Sequence, residues 1–451
     1  VNDPKSPQSP KLKRNITLQE LSLICPEIRW SDLFAKVFKE AEYEDYEGLP
    51  ITIEGEEQLK QRCKQHASAL QTDRKTFQTM MIINFVSELL KYTLLPSTKK
   101  TTDPSTSLFD DECIRQVKEA FAYTIERYYL PSHVNETHKK KVTTIFDEVK
   151  RTVLKSIPEY IWLTRSEKEF VSKKIEKMKI HALYTNLSDL EKKENNSAIY
   201  RYQLNEHNYY VNAIIMGRAR NMDKFKSHLS PSDVSLSPSP VFNVDIFYQT
   251  SKNRVNVNAG LIQPPFYIDG DDMLSNYGRI GLLIGHEIFH SIDTIGTRWG
   301  ENGNLQKSKF SRTLSIKVYN KSKCFQEQYG KDETIKHKIA SHKFVDEIIA
   351  DNGAIHVLFK GFKQLIRKLA GHVSQDPDTT QRRYQSFFHG FAEVLCGEYS
   401  GKALERYIKD TYHVLNKYRV NFALSNSKEF SLAYHCRPGS PMNPLNKCRV
   451  Y

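Results

Sequence analysis

The chain has 451 residues, of which 39% are hydrophobic and 26% charged, with 19 Gly and 18 Pro; this excludes a disordered or low-complexity protein and leaves room for two or three domains of ordinary size. The formal net charge is +13, but Lys and Arg alternate with Glu along helical stretches such as "SKKIEKMK" (172–179), so the excess reads as solvated helix faces and argues against a nucleic-acid partner. No uninterrupted run of about 20 apolar residues occurs, and "VNDPKSPQSPKLKRNITL" (1–18) lacks the apolar centre of a signal peptide, so the chain as it stands is expected to be soluble.

From about Glu56 to His181, apolar residues recur at spacings of three and four in "TFQTMMIINFVSELLKYTLL", "ECIRQVKEAFAYTIERYYL", "TTIFDEVKRTVLKSI" and "EKEFVSKKIEKMKI", which predicts an all-helical first part. Polar Pro/Ser/Thr-rich loops are expected at 96–107 and 227–240. The period then changes. "VFNVDIFYQTSKNRVNVNAG" (241–260) reads as two short strands around the turn "TSKN", and helices return with "GLLIGHEIFHSI", "HKFVDEIIADNGAIHVLFKGFKQLIRKL" and "RRYQSFFHGFAEVL". The seven cysteines have no CxxC spacing, so disulfides or buried thiols are expected in place of a cysteine-zinc cluster. Sequons at Asn15, Asn135, Asn186, Asn195 and Asn320 would suit a secreted glycoprotein.

The segment "GLLIGHEIFHSID" (281–293) carries the chemistry. On a helix, His286 and His290 lie four apart on one face, so each can turn a ring nitrogen toward one ion at about 2.0–2.1 Å. Glu287 then sits beside that ion without binding it, as a base for water. A third ligand is needed, and "VDEIIADNG" offers Glu347 and Asp351, again four apart: one to bind, the other to hold the far nitrogen of a ligand histidine. Asp293, three residues past His290, can orient the second imidazole in the same way.

With these segments in hand, the chain resembles the neprilysin and endothelin-converting-enzyme family of zinc endopeptidases. The resemblance rests on "NAGLIQPPFY" (258–267), "IGHEIFHSID" (284–293), "DEIIADNGA" (346–354), "FFHGFAEVLCGEY" (387–399) and "EFSLAYHCRPGSPMNPLNKCRVY" (429–451), which run in the family's order. It implies one zinc ion held by His286, His290 and Glu347, catalysis by Glu287, and Asp351 and Asp293 as partners of the zinc histidines. It also implies that His413 steadies the developing oxyanion and that Arg419 binds a substrate carbonyl. Phe266, Leu283 and Val394 would line the pocket for the apolar residue after the cut bond. Asp245 and Ile246 fall where the family has an Asn-Ala pair that grips the peptide backbone; Leu395 stands for a Trp and Thr411 for an Asp. The resemblance pairs Cys324 with Cys448, and pairs Cys113, Cys396 and Cys436 with cysteines outside this chain.

The fold expected is mainly α with a small β-sheet, an α+β arrangement in which a thermolysin-like zincin catalytic domain (182–451) is covered by a helical cap domain (1–181) that is incomplete relative to the family. The function expected is zinc-dependent hydrolysis of oligopeptides on the amino side of apolar residues, at the cell surface or outside the cell, with any membrane attachment through a segment absent from this chain. The alternative is a catalytically impaired member or fragment that acts as a binding ectodomain.

Overall fold

A computed structural model describes residues 13–40, 48–90, 108–229, 241–270, 272–339, 341–369, 376–399, 401–410 and 413–451. The chain forms two compact units, one from residues 1–123 with 188–238 and one from residues 124–187 with 239–451. The expected loop at 96–107 and position Thr411 lie outside the described residues, as does most of the loop at 227–240.

In the first unit, Lys13–Ile16 pairs antiparallel with Ile51–Glu54, and the helices include Leu18–Ile24, Glu56–Thr72, Arg74–Leu90 and Tyr209–Leu229. Thr17 starts the first of these helices with a capping box, its hydroxyl accepting from the Glu20 amide while the Glu20 carboxylate accepts from the Thr17 amide. Apolar burial is sparse: Ile16, Leu21 and Ile53 form one small cluster, and Ala198, Ile199, Ala219 and Met222 another. A disulfide joins Cys25 to Cys63.

The second unit holds the main core. Its sheet has three strands in the order Lys179–Leu183, Arg254–Asn258, Ile246–Gln249. The central strand runs parallel to the first and antiparallel to the edge strand, with Ile246 opposite Val257 and Tyr248 opposite Val255. The two strands expected around "TSKN" are thus present. The helical reading through His181 is corrected: that helix ends at Glu176, and Lys179–Leu183 is a strand. A short "KIHAL" run carries too little pattern to separate one helical turn from a strand, and parallel pairing with a partner some 75 residues on decides it.

Helix Ile280–Phe289 lies at the centre with all ten residues buried. Helix His342–Lys368 packs along it at close range because small residues face the contact. A Cβ on Gly285 would come within 2.6 Å of Leu358, and one on Gly353 within 2.8 Å of Phe289, so only glycine permits this approach. Helix Glu136–Ser156 supplies Val142, Ile145, Phe146, Val149 and Val153 to the same cluster. Cys324 and Cys448 form the second disulfide, as the resemblance implied. Among the described residues Cys396 and Cys436 are unpaired. No helix among the described residues is long and apolar enough to cross a membrane.

Candidate metal centre

His286 and Glu287 occupy the last turn of the Ile280–Phe289 helix and His290 is its C-cap, still with helical backbone angles. The two imidazoles therefore project from one face, as the four-residue spacing requires. Glu347 reaches them from the facing helix. The Nε2 atoms of His286 and His290 are 3.0 Å apart, and each is 3.4 Å from a carboxylate oxygen of Glu347.

Each imidazole is fixed from behind. Nδ1 of His286 is 2.8 Å from Oδ1 of Asp351, and Nδ1 of His290 is 2.8 Å from Oδ2 of Asp293. With both Nδ1 protons donated to carboxylates, both Nε2 lone pairs point into the same space, which repels unless a cation lies between them. Tetrahedral zinc with ligands at about 2.0–2.1 Å needs donor atoms about 3.3–3.4 Å from one another, so the His286, His290 and Glu347 donors, all within 4.8 Å of one another, fit such an ion with little rearrangement.

The electrostatics agree. Glu287, Glu347, Asp293 and Asp351 are all buried, and the one guanidinium among them is Arg419, whose Nε and terminal nitrogen donate to the two Asp351 oxygens at 2.8 and 2.7 Å. Burial acts against the Asp351 carboxylate, but the Arg419 and His286 charges overcome it and hold Asp351 low. Burial alone would push His286 down and Glu347 up; the opposed charges reverse both, so His286 and His290 are held above the ordinary histidine value and Glu347 well below the carboxylate range. Four buried carboxylates against one fixed cation leave net negative charge that a divalent ion would largely offset.

Glu287 is placed differently. Its Oε2 accepts the Tyr248 backbone N–H at 2.8 Å, while Oε1 stays 4.0 Å from His286 Nε2. Burial pushes its carboxyl up, which makes it a stronger base. His413, whose side chain is 44% exposed, reaches Glu347 Oε2 with Nδ1 at 3.1 Å, so it stands at the open side of the cluster. Asp245 is exposed just ahead of the edge strand and Ile246 is its first residue. Leu283 and Val394 are buried in one apolar cluster, with Phe266 packed on it.

Three participants have no counterpart in the sequence reading. Tyr248 contributes through its backbone, which no residue-type pattern signals. Asp346, beside Glu347, accepts from the amide and hydroxyl of Thr294 at 3.0 and 2.8 Å and so holds the turn after His290. Lys174 is fully buried within a run of lysines that reads as a solvated face.

Residues 3–185 and 245–450 match the two sequence profiles of peptidase family M13. Human endothelin-converting enzyme 1 is 26% identical over 455 residues, an alignment covering 97% of this chain and 57% of that protein. Mouse endothelin-converting enzyme-like 1 is 23% identical, with 97% and 56% covered. This chain therefore spans a little over half the length of the curated relatives it matches. Among solved structures, a zinc metalloprotease of Mycobacterium tuberculosis in complex with an inhibitor superposes with a TM-score of 0.71 at 18% identity, covering 99% of this chain and 67% of that one. PepO from Lactobacillus rhamnosis gives 0.70 at 18% identity, covering 96% and 65%.

Proposed function

The chain belongs to peptidase family M13, and from that membership and the His286–His290–Glu347 cluster we propose that it is a zinc endopeptidase hydrolysing small peptides on the amino side of apolar residues. The observation that carries the reading is the convergence of two carboxylate-backed imidazoles and one Glu, with a separate buried carboxylate alongside. His286, His290 and Glu347 would hold the zinc, which supplies Lewis acidity that polarises a carbonyl and makes water easier to deprotonate.

The remaining work falls to the chain's own groups. Glu287 has one oxygen committed to the Tyr248 amide and the other free to take a proton from the attacking water and return it to the leaving amine. The edge strand presents its outer backbone to the substrate, which would add to the sheet as a further strand. Tyr248 turns its N–H away from the central strand, and by the same alternation Ile246 does so. The side chain of Asp245, just ahead of this strand, has only acceptors to offer an incoming peptide. His413 at the open side would donate to the developing oxyanion, a contact worth about 3–4 kcal/mol. Arg419 would bind a substrate carbonyl while anchoring Asp351. Phe266, Leu283 and Val394 would receive the apolar side chain. Two disulfides suit an oxidising, extracellular setting.

Asp245, without an amide donor, favours the second reading, a member that binds peptides without cutting them. Zinc content and cleavage of a panel of short peptides, with Glu287→Gln as the inactive control, separate the two. One zinc per chain with cuts before apolar residues supports the peptidase; one zinc with no turnover at high enzyme concentration supports the binding protein.

A further inference from the structure

Lys174 is a lysine with no exposed surface, on helix Arg165–Glu176, more than a hundred residues before the HExxH segment. Its Nζ donates to the carbonyl oxygens of Gly296 and Trp299, the latter at 2.8 Å, and lies 5.8 Å from the centre of the Tyr248 ring. Burial pushes its ammonium down to about 7, with the Asp293 charge opposing, and two carbonyl acceptors satisfy the two protons a neutral amine would keep.

Following hydrogen bonds from Lys174 in both directions leads to the two sides of the metal centre. On one side, the Gly296 amide donates to Asp293 Oδ1 at 2.6 Å, the Ile295 amide joins it at 2.8 Å, and the other Asp293 oxygen holds His290. On the other, the Lys174 backbone carbonyl accepts from Asn253 Nδ2 at 2.8 Å, Asn253 also donates to the Glu301 carbonyl at 2.9 Å, and its Oδ1 accepts from the Tyr248 hydroxyl at 2.9 Å. Tyr248 in turn holds Glu287. Asn253 is 1% exposed and left-handed at φ 45°, a backbone that Asn tolerates better than most residues. Its amide is thereby aimed inward.

We propose that Lys174 is a positioning residue that ties the orientation of the ligand His290, through its ammonium, Gly296 and Asp293, to the orientation of Glu287, through its backbone carbonyl, Asn253 and Tyr248. The claim rests on the zinc-peptidase reading for its kinetic part only, since the His290 arm acts on metal affinity whether or not a peptide is cut. A carboxylate held by a single backbone N–H on an edge strand can shift when the strand shifts, and the locked Tyr248 side chain prevents that.

The test uses the full chain with Tyr248→Phe, which removes one hydroxyl, with Asn253→Ser, with these two together, and with Lys174→Met. Tyr248→Phe is expected to lower kcat about tenfold with KM within about twofold, and to leave zinc affinity unchanged. Lys174→Met, which removes the Nζ bonds but keeps the backbone carbonyl that holds Asn253, is expected to weaken zinc about tenfold in competition with a chelator and to leave kcat of the zinc-saturated protein within about twofold. The double variant of Tyr248→Phe with Asn253→Ser should lose little more kcat than Asn253→Ser alone, because both changes break the Tyr248–Asn253 hydrogen bond. Wild-type kcat in Tyr248→Phe, strictly multiplicative losses, or wild-type zinc affinity in Lys174→Met overturns the proposal. If Lys174→Met does not fold, the Tyr248–Asn253 cycle still gives the decision on the Glu287 arm. If the wild-type protein binds zinc without turnover, the peptidase reading fails, and the zinc affinity of Lys174→Met still decides the His290 arm.

Discussion

Two apolar helices of this molecule have opposite fates. Ile280–Phe289, "IGLLIGHEIF", is buried along its whole length, whereas Arg74–Leu90, "RKTFQTMMIINFVSELL", leaves Met81, Ile82, Ile83 and Phe85 between 52% and 61% exposed. The first is the more apolar per residue, and the layers placed over it complete its burial. The first is covered by helices Glu136–Ser156 and His342–Lys368 and by the three-stranded sheet. Burial on every side is what lets two histidines and four carboxylates sit at a few ångströms from one another, because the low local dielectric makes each opposed pair strong and each uncompensated one costly. Substitutions in the second unit's centre should therefore cost function or stability steeply, and those on the exposed helix should not.

The largest effect falls on the metal. Glu347→Ala removes the proposed third ligand and leaves two imidazoles facing each other, so zinc content and the proposed peptide cleavage should both drop to background; a variant that keeps its zinc would place the third ligand elsewhere. Next come the disulfides, one in each unit. In the chain-entropy description, opening Cys324–Cys448, 124 residues apart, costs about 5 kcal/mol, and opening Cys25–Cys63, 38 apart, about 4 kcal/mol. Paired Cys→Ser variants followed by denaturant unfolding measure both, and a reversed order would mean that residual structure in the unfolded chain outweighs loop length.

A smaller effect is pH-dependent and belongs to the buried region alone. His356 has an Nε2 with no hydrogen-bond partner. Burial, with Arg449, Lys360 and Lys363 nearby, pushes the ring down to about 3; Glu429 at 3.9 Å from Nδ1 is too distant for a hydrogen bond and does not offset this. Between pH 6.5 and 3 the unfolded state holds a proton that the folded state does not, so stability falls as pH falls through that window. At pH 5 the loss is about 2 kcal/mol. His356→Leu should flatten this part of the stability profile, and an unchanged slope in urea melts from pH 7 to 5 would assign it to other groups. The smallest effect is expected for Phe85→Ser on the exposed helix, within about 0.5 kcal/mol; a loss of 2 kcal/mol or more would show that this face is covered in solution and erase the contrast between the two helices.

Much of the centre was readable before any fold was known. The four-residue spacing of His286 and His290, repeated by Glu347 and Asp351, follows from helix geometry alone, and the structure brings all four together. Asp293 as the partner of His290 was equally legible, being only three residues away. The two strands around "TSKN" carried their own turn and alternation. The strand Lys179–Leu183 was not legible, because a five-residue run next to a helix lacks a decisive period and takes its form from a distant partner. Residues such as Lys174 and Asp346 were hidden for a related reason: their types are common on polar helix faces, and only burial reveals that they are not there.

What the sequence determined by itself is therefore local and periodic: which side chains share a helix face, where a turn interrupts two strands, and which donor types suit a metal. The tertiary structure alone decided that Asp351 meets His286 and Arg419, that the Tyr248 amide meets Glu287, and that Lys174 reaches Gly296. Those contacts join positions 39 to 122 residues apart. Periodicity, which reports only which residues of one element point the same way, is silent about which elements meet.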